Sequence, residues 1–380
     1  MNRIGVIGGG QLAQMLAIAS KELDIELIVQ ADSITDIAVP YASSYLVGRD
    51  YTDLIQSCPV ITFENEFVDP KELQSQGGKD DQFIPNLGIM QVLVDKYYQR
   101  EHLRKYQLPM PEFLLVDPLQ EITSYGDKLG YPCVLKARQH GYDGKGTWIA
   151  NSPQDLGMAW AKIGRVPAIL EAFVPYVKEL AIMVGCDRQG QICLYPIVET
   201  VQTQQVCDLV LVPAEIPIPV AEKIREIAQV TVKSFQSAGI FGIELFLTGD
   251  QQILINEIAP RVHNSGHYTI EACDISQFTQ LLRICVGLPA ITPKLNFAYG
   301  VMVNLLGYAD KIDDYLTVRD QIQALPNTYL HWYGKKHSRI GRKLGHVTIL
   351  GSDPQTVKTI AESARTIWYS HVTTTKKTNP

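Results

Sequence analysis

Ile240-Phe-Gly-Ile-Glu244-Leu-Phe-Leu247-Thr-Gly-Asp-Gln251-Gln252-Ile-Leu-Ile-Asn256-Glu257-Ile258 is a pair of apolar runs around a polar turn. Branched and aromatic residues fill both runs, and Thr248-Gly249-Asp250-Gln251 has the chemistry of a tight reversal, so the stretch reads as a β-hairpin. With the reversal there, Glu244 falls opposite Glu257. Two carboxylates facing each other among isoleucine, leucine and phenylalanine repel, and they need a proton or a cation between them. Mg²⁺ shared with nucleotide phosphates meets that need, with Asn256 as a further oxygen donor. The plainer alternative, an edge hairpin with solvated glutamates, fits the apolar flanks poorly.

The segment that follows, Pro260-Arg261-Val262-His263-Asn264-Ser265-Gly266-His267, offers Arg, His, Asn and Ser donors for an anion such as bicarbonate or a phosphate. His263 and His267 stand in a loop, where no helix aligns their rings for zinc. Upstream, Val220–Ala238 is patterned as an amphipathic helix. Before it come strands at Ala168–Phe173, Glu179–Cys186, Ile192–Val198 and Val206–Val212. Pro132–Ala137 is a strand with Lys136 near its end, and Gly141-Tyr142-Asp143-Gly144-Lys145-Gly146-Thr147 is a glycine loop beside it. A lysine in an apolar strand needs a counter-charge, and a glycine loop bracketed by two lysines can close over phosphates. A hairpin loop with a snorkelling lysine is the bland reading.

At the amino terminus, strands Arg3–Ile7, Ile25–Val29 and Val60–Phe63 alternate with helices, the pattern of parallel βαβ units. Gly8-Gly9-Gly10-Gln11-Leu12-Ala13 opens the first helix and fits GxGxxG/A, with Asp32 placed where a dinucleotide-binding acid would stand. A phosphate at the helix start, a dinucleotide, and a mere tight turn are the three readings. Towards the carboxyl end, strands are expected at Tyr299–Leu306 and Lys343–Leu350, and a helix from Asp353 to about Trp368. No carboxylate occurs between Asp320 and Asp353, while His331–Lys343 carries Lys335, Lys336, Arg339, Arg342 and Lys343. Flanked by aromatics on an acidic chain, that run reads as a pocket for an anionic small molecule rather than for RNA.

A chain of 380 residues with 46% hydrophobic and 19% charged residues implies a globular protein of several domains and excludes a disordered or fibrous one. A net charge of −6 opposes general nucleic-acid binding. The 7 cysteines form no CxxC pair and fit buried free thiols in a reducing compartment. No apolar run reaches membrane-spanning length and no signal peptide is apparent, so a cytoplasmic location without a membrane partner is expected.

Together, Gly8–Met15, Gly141–Trp148, Ile255–His267 and His331–His346 resemble the N5-carboxyaminoimidazole ribonucleotide synthetase family of the ATP-grasp superfamily. The resemblance runs from residue 4 to about 350, and the Ile255–His267 block is its most specific part. It implies an α/β and α+β chain: a Rossmann-like parallel-sheet domain (1–95), an ATP-grasp domain (96–295) with a glycine-rich lid (about 110–175), and a small C-terminal domain (296–380). It implies carboxylation of aminoimidazole ribonucleotide by bicarbonate, through carboxyphosphate, with ATP and Mg²⁺, by a homodimer.

By the same resemblance, Lys96, Lys136, Gly141, Tyr142, Asp143, Gly144, Lys145, Gly146 and Thr147 would meet ATP phosphates. Glu171, Ala172, Phe173 and Val174 would border the adenine, and Glu179 would take the ribose. Glu244 and Glu257 would hold the metal beside Asn256. Arg261, His263, Asn264, Ser265 and Lys335 would serve catalysis on bicarbonate. The ribonucleotide would meet Gln11, Glu66, Tyr142, Asp143, Lys335, Arg342 and Lys343. Lys145 replaces an arginine of many members, and Gln202 a histidine whose nucleotide contact is therefore in question.

Overall fold

The computed structural model describes residues 2–117, 119, 121–139, 141 and 146–370. The amino-terminal alternation builds a five-stranded parallel sheet in the order Ser44–Val47, Ile25–Ala31, Asn2–Ile7, Val60–Phe63, Phe83–Ile84. The order reverses between Asn2–Ile7 and Val60–Phe63, so the segments following these two strands meet at the switch point, where open α/β sheets bind ligands. The two edge strands escaped the sequence reading for plain reasons. Ser44–Val47 is mostly exposed and has no apolar alternation, and Phe83–Ile84 is only two residues long.

A second, antiparallel sheet of four strands follows, ordered Phe113–Val116, Ala168–Ala172, Cys133–Ala137, Thr147–Ala150. Helices Thr123–Leu129 and Pro153–Lys162 close one face over Cys133, Leu135, Leu156 and Trp160. This unit carries Lys136, paired in register with Thr147.

The third sheet has nine strands. From one edge it runs Ile253–Ala259, Gly239–Thr248, Tyr176–Cys186, Val198–Thr203, Val206–Val212, Tyr299–Leu306, Lys343–Gly351 and Thr328–Trp332, with Ile192–Leu194 paired to Tyr176–Cys186. The expected single strand Ile192–Val198 is two, because Pro196 has no amide to donate to a ladder. Helix Ile218–Phe235 buries Val220, Ile224, Ile227 and Phe235 against Ile182, Phe241 and Ile243. Pairing of Val206–Val212 with Tyr299–Leu306 carries this sheet past residue 296, so the carboxy-terminal strands continue the central ones. Helix Pro354–Tyr369 covers them, and the buried Trp368 donates its Nε1–H to the Leu306 carbonyl at 2.8 Å. Helix Leu316–Gln323 and strand Thr328–Trp332 were not anticipated. Among the described residues, no helix is long and apolar enough to cross a membrane.

Candidate active site

The hairpin forms, and Glu244 does face Glu257, but by a route more subtle than simple counting from the turn. Nearest the turn the register pairs Leu247 with Ile253 and Leu245 with Ile255. It then slips, and Glu244 pairs with Glu257, leaving Asn256 as the extra residue of a β-bulge. The bulge brings Asn256 to the acidic face. Its Nδ2 lies 3.4 Å from Glu244 Oε2, and its Oδ1 accepts from Lys136 Nζ at 3.1 Å.

Cations converge on this edge from two other elements. Lys96, at the start of helix Lys96–Lys105, donates to Glu257 Oε1 at 2.5 Å. Arg100, one turn later, reaches Glu171 Oε1 at 2.7 Å and the Asn256 carbonyl at 2.6 Å. Lys136 pairs with the other Glu171 oxygen at 2.7 Å. Arg138 clasps Asp95, the cap of the same helix, at 2.8 Å, which fixes where the helix begins.

The three glutamates titrate differently. Burial alone would raise Glu171, but Arg100 and Lys136 bring it down to about 2. Burial also opposes ionisation of Glu257, yet the Lys96 ammonium holds it below its ordinary value. Glu244 is pushed up to about 7 by burial, then by the charges of Glu257 and Glu179. An acid kept from ionising by burial and by neighbouring carboxylates is a place where a cation is welcome. Two carboxylates and an amide oxygen are the hard donors Mg²⁺ uses when phosphates and water complete its shell. Among the described residues, no group of three or more His, Cys, Asp and Glu side chains is placed to hold a metal ion.

Past the bulge the chain enters the anion loop. Gly242 makes room for His263, since a Cβ there would stand 2.8 Å from the histidine Cβ. His263 Nε2 comes within 3.7 Å of Glu244 Oε1, and its Nδ1 lies 2.9 Å from the buried Ser265 hydroxyl. Arg261 forms an ion pair with Glu66 at 2.9 Å, joining the anion loop to the amino-terminal sheet. Both amide atoms of Asn264 are engaged with Asn304 of strand Tyr299–Leu306, at 2.9 and 2.8 Å, and it is buried, so it holds the loop to the carboxy-terminal strands.

From the basic segment, Lys343 lies near enough to temper the rise of Glu244. Lys335 donates to the Lys343 carbonyl at 2.8 Å, and Arg342 to the His337 carbonyl at 2.6 Å. Glu179, half-buried on strand Tyr176–Cys186, and Gln202, on Val198–Thr203, lie along the same sheet. Ala172, Phe173 and Val174 link the four-stranded sheet to the nine-stranded one. Glu171, whose backbone is expected beside the adenine with theirs, turns its carboxylate into the Arg100–Lys136 cluster. Gly141, Gly146 and Thr147 frame the glycine loop, whereas Tyr142, Asp143, Gly144 and Lys145 lie outside the described residues.

The Gly8–Gly10 turn is a correction. A Cβ on Gly10 would stand 2.3 Å from Glu64 Oε1, and one on Gly9 would stand 2.5 Å from Asp36 Oδ2. The glycines admit carboxylates, and Glu64 Oε1 already accepts from the Leu12 amide at 3.4 Å. A pyrophosphate would have to enter where two acids sit, so the turn gives no dinucleotide site. The Asp32 side chain is 82% exposed, and Arg49 lies 4.0 Å from it. Gln11 opens the helix above Glu64.

Three family models match in sequence: the ribonucleotide synthetase preATP-grasp domain over residues 1–93, the ATP-grasp domain over 101–278, and the phosphoribosylaminoimidazole carboxylase C-terminal domain over 300–359. The N5-carboxyaminoimidazole ribonucleotide synthase of Synechococcus elongatus is 43% identical over 354 residues, 92% of this chain and 89% of that one. The synthase of Synechocystis is 39% identical over 97% of this chain and 98% of its own. The chain belongs to the N5-carboxyaminoimidazole ribonucleotide synthase family. Solved members agree. The Aspergillus clavatus carboxyaminoimidazole ribonucleotide synthase complexed with ATP superposes with a TM-score of 0.90 at 32% identity, over 97% of this chain and 98% of that one. The structure of the Aspergillus clavatus synthase with ADP and 5-aminoimidazole ribonucleotide gives 0.88 at 31%, over 97% and 99%.

Within this synthase fold, the residues that sequence reading missed share a property: their importance depends on a distant partner. Arg100 follows Lys96 at a spacing of one helical turn, a signal that both face one way. Asn304 and Gln277 are polar side chains in otherwise apolar surroundings, which marks them as bonded to something without saying to what.

Proposed function

We infer that this chain joins bicarbonate to the exocyclic amine of 5-aminoimidazole ribonucleotide while cleaving ATP to ADP and phosphate. The observation that carries the reading is the shared edge at Asn256–Glu257. On one side it meets Lys96 and Lys136, and on the other Glu244 leads to His263 and the anion loop. Phosphates and bicarbonate would therefore lie next to each other. The high identity to synthases along nearly the whole chain supports this choice among ATP-grasp ligases.

Bicarbonate and a phosphate are both anions, so the first task is to hold them together. Lys96 and Lys136 are placed to neutralise phosphate oxygens, and Arg100 keeps Lys136 in place through Glu171. Mg²⁺ held by Glu244 and Glu257, with Asn256 beside it, would supply further charge neutralisation at those oxygens. Arg261, His263 and Ser265 would orient bicarbonate for attack, with Lys335 nearby and Asn264 fixing the loop. Lys335, Arg342 and Lys343 would bind the ribonucleotide phosphate. The carboxyphosphate intermediate hydrolyses in water, which gives the Gly141–Thr147 loop a purpose in closing the cleft. The family resemblance adds a cytoplasmic homodimer, which sedimentation would check.

The test is phosphate release from ATP with bicarbonate alone, with the ribonucleotide alone, and with both; rapid release should need both. Glu257→Gln should lower it by about 100-fold or more, the scale of losing one preorganised electrostatic contact. Full activity of that variant would remove the metal assignment. Turnover with amino acids in place of bicarbonate would point to a different ATP-grasp ligase.

A further inference from the structure

The anion loop needs its backbone held, because Arg261–His267 is irregular chain apart from the single turn at Asn264–Gly266. What holds it is a residue with no assigned role. Gln277 is the first residue of helix Gln277–Cys285 and is fully buried. Its Oε1 accepts from the His263 amide at 2.9 Å, and its Nε2 donates to the His263 carbonyl at 2.8 Å. One side-chain amide thus pairs with both backbone groups of one residue, as a neighbouring strand would. The pairing also settles the orientation of the amide, since a backbone N–H must meet oxygen and a carbonyl must meet N–H.

The remaining Nε2 hydrogen faces His267 Nδ1 at 3.2 Å. His267 is fully buried, and burial first, then the nearby His263 charge, holds its pKa well below the ordinary histidine value. The surroundings are shaped to admit this amide. A Cβ on Gly266 would stand 2.6 Å from Gln277 Oε1, and Thr269 Oγ1 accepts the Gln277 backbone amide at 3.0 Å. On the far side, the absence of a side chain at Gly242 lets His263 lie over the strand and reach Glu244.

We propose that Gln277 is a positioning residue for the carboxylation, fixing the backbone of His263 so that the imidazole stands between Glu244 and Ser265 where bicarbonate binds. The inference rests on the reading of His263 given above. Hydrophobic packing does not explain it, because an apolar side chain of equal length would fill the same space and make none of these bonds. Among the described residues, the Gln277 side chain bonds to His263 and His267 and not to Lys96, Lys136 or Glu257, so its effect should be confined to the bicarbonate half of the site.

The test compares Gln277→Met, similar in length and without either bond, with wild type and with His263→Ala. Two numbers are read: kcat/KM for bicarbonate, and the dissociation constant for Mg·ATP in the absence of bicarbonate. Gln277→Met should lower the first at least fivefold and leave the second within twofold. A loss below fivefold overturns the proposal, as does an ATP affinity that weakens beyond twofold, since that is the mark of a merely structural residue. If His263→Ala retains wild-type kcat/KM for bicarbonate, the reading of His263 fails, whatever Gln277→Met does. If His263→Ala is impaired and Gln277→Met is not, only the positioning role fails. Should Gln277→Met not fold, Gln277→Glu, which keeps the shape and the accepting oxygen, is judged by the same two numbers.

Discussion

Glu171 and Glu244 are two glutamates in one cleft with opposite fates. Glu171 is 2% exposed and sits between Arg100 and Lys136, and its acidity is driven to about 2. Glu244 faces Glu257 and Glu179, and its acidity is weakened to about 7. Burial raises both and is the largest cause at Glu244, and at Glu171 the neighbouring cations reverse it. A glutamate with cations supplied by the fold is a structural fixture, and one supplied with anions is left requiring a ligand.

The sharpest way to break this comparison is Glu171→Gln. Removing the carboxylate that pairs with both buried cations leaves them the neutral Asn256 oxygens as hydrogen-bond partners, and stability should fall by about 3–5 kcal/mol. Chemical unfolding should show a transition at markedly lower urea, and no change would mean that water already compensates Arg100 and Lys136.

A smaller effect with an opposite sign is expected at Glu244. Folding raises its pKa from 4.5 to about 7, so the folded chain holds that proton more tightly. Its stabilisation is complete below 4.5 and is lost as pH rises through 7. For Glu171, lowered from 4.5 to about 2, stabilisation is present above 4.5 and is lost as pH falls towards 2. Melting the metal-free protein between pH 5 and 8 (roughly the range between the two Glu244 values) should show wild type losing stability with rising pH, and Glu244→Gln losing less. Equal slopes would show that Glu244 is not the group involved. The same variant should bind Mg·ATP more weakly despite its steadier fold.

The smallest expected effect is at Asp32, whose side chain is largely exposed. Asp32→Ala should leave stability within about 0.5 kcal/mol and turnover unchanged. A large loss of turnover would revive a nucleotide role for the amino-terminal turn.

Much of this was legible beforehand, for reasons that differ by region. The Gly239–Thr248 and Ile253–Ala259 strands announce themselves by their apolar residues and their turn, and the Glu244–Glu257 pairing follows. The bulge at Asn256 was not legible, because a single slipped register leaves no mark on composition. Lys136 stands out as a charge in an apolar strand, whereas Arg100 is one of several charges on helix Lys96–Lys105 and gains its meaning only from Glu171 of the four-stranded sheet. The Gly8–Gly10 turn misled because glycines report only that space is needed. What fills the space is Glu64 and Asp36.

The sequence by itself determined the strands and main helices around the cleft, the acidic hairpin and the chemistry of the Arg261–Ser265 loop. These depend on local periodicity and on which residue types are near one another in the chain. Only the tertiary structure decided which charges are already satisfied, which glycines make room and for what, and that Gln277 and Asn304 grip the anion loop from two sides. Those facts depend on partners far apart in sequence, such as Asn264 and Asn304, and the energy of a buried polar group is set by the partner it finds when the chain closes.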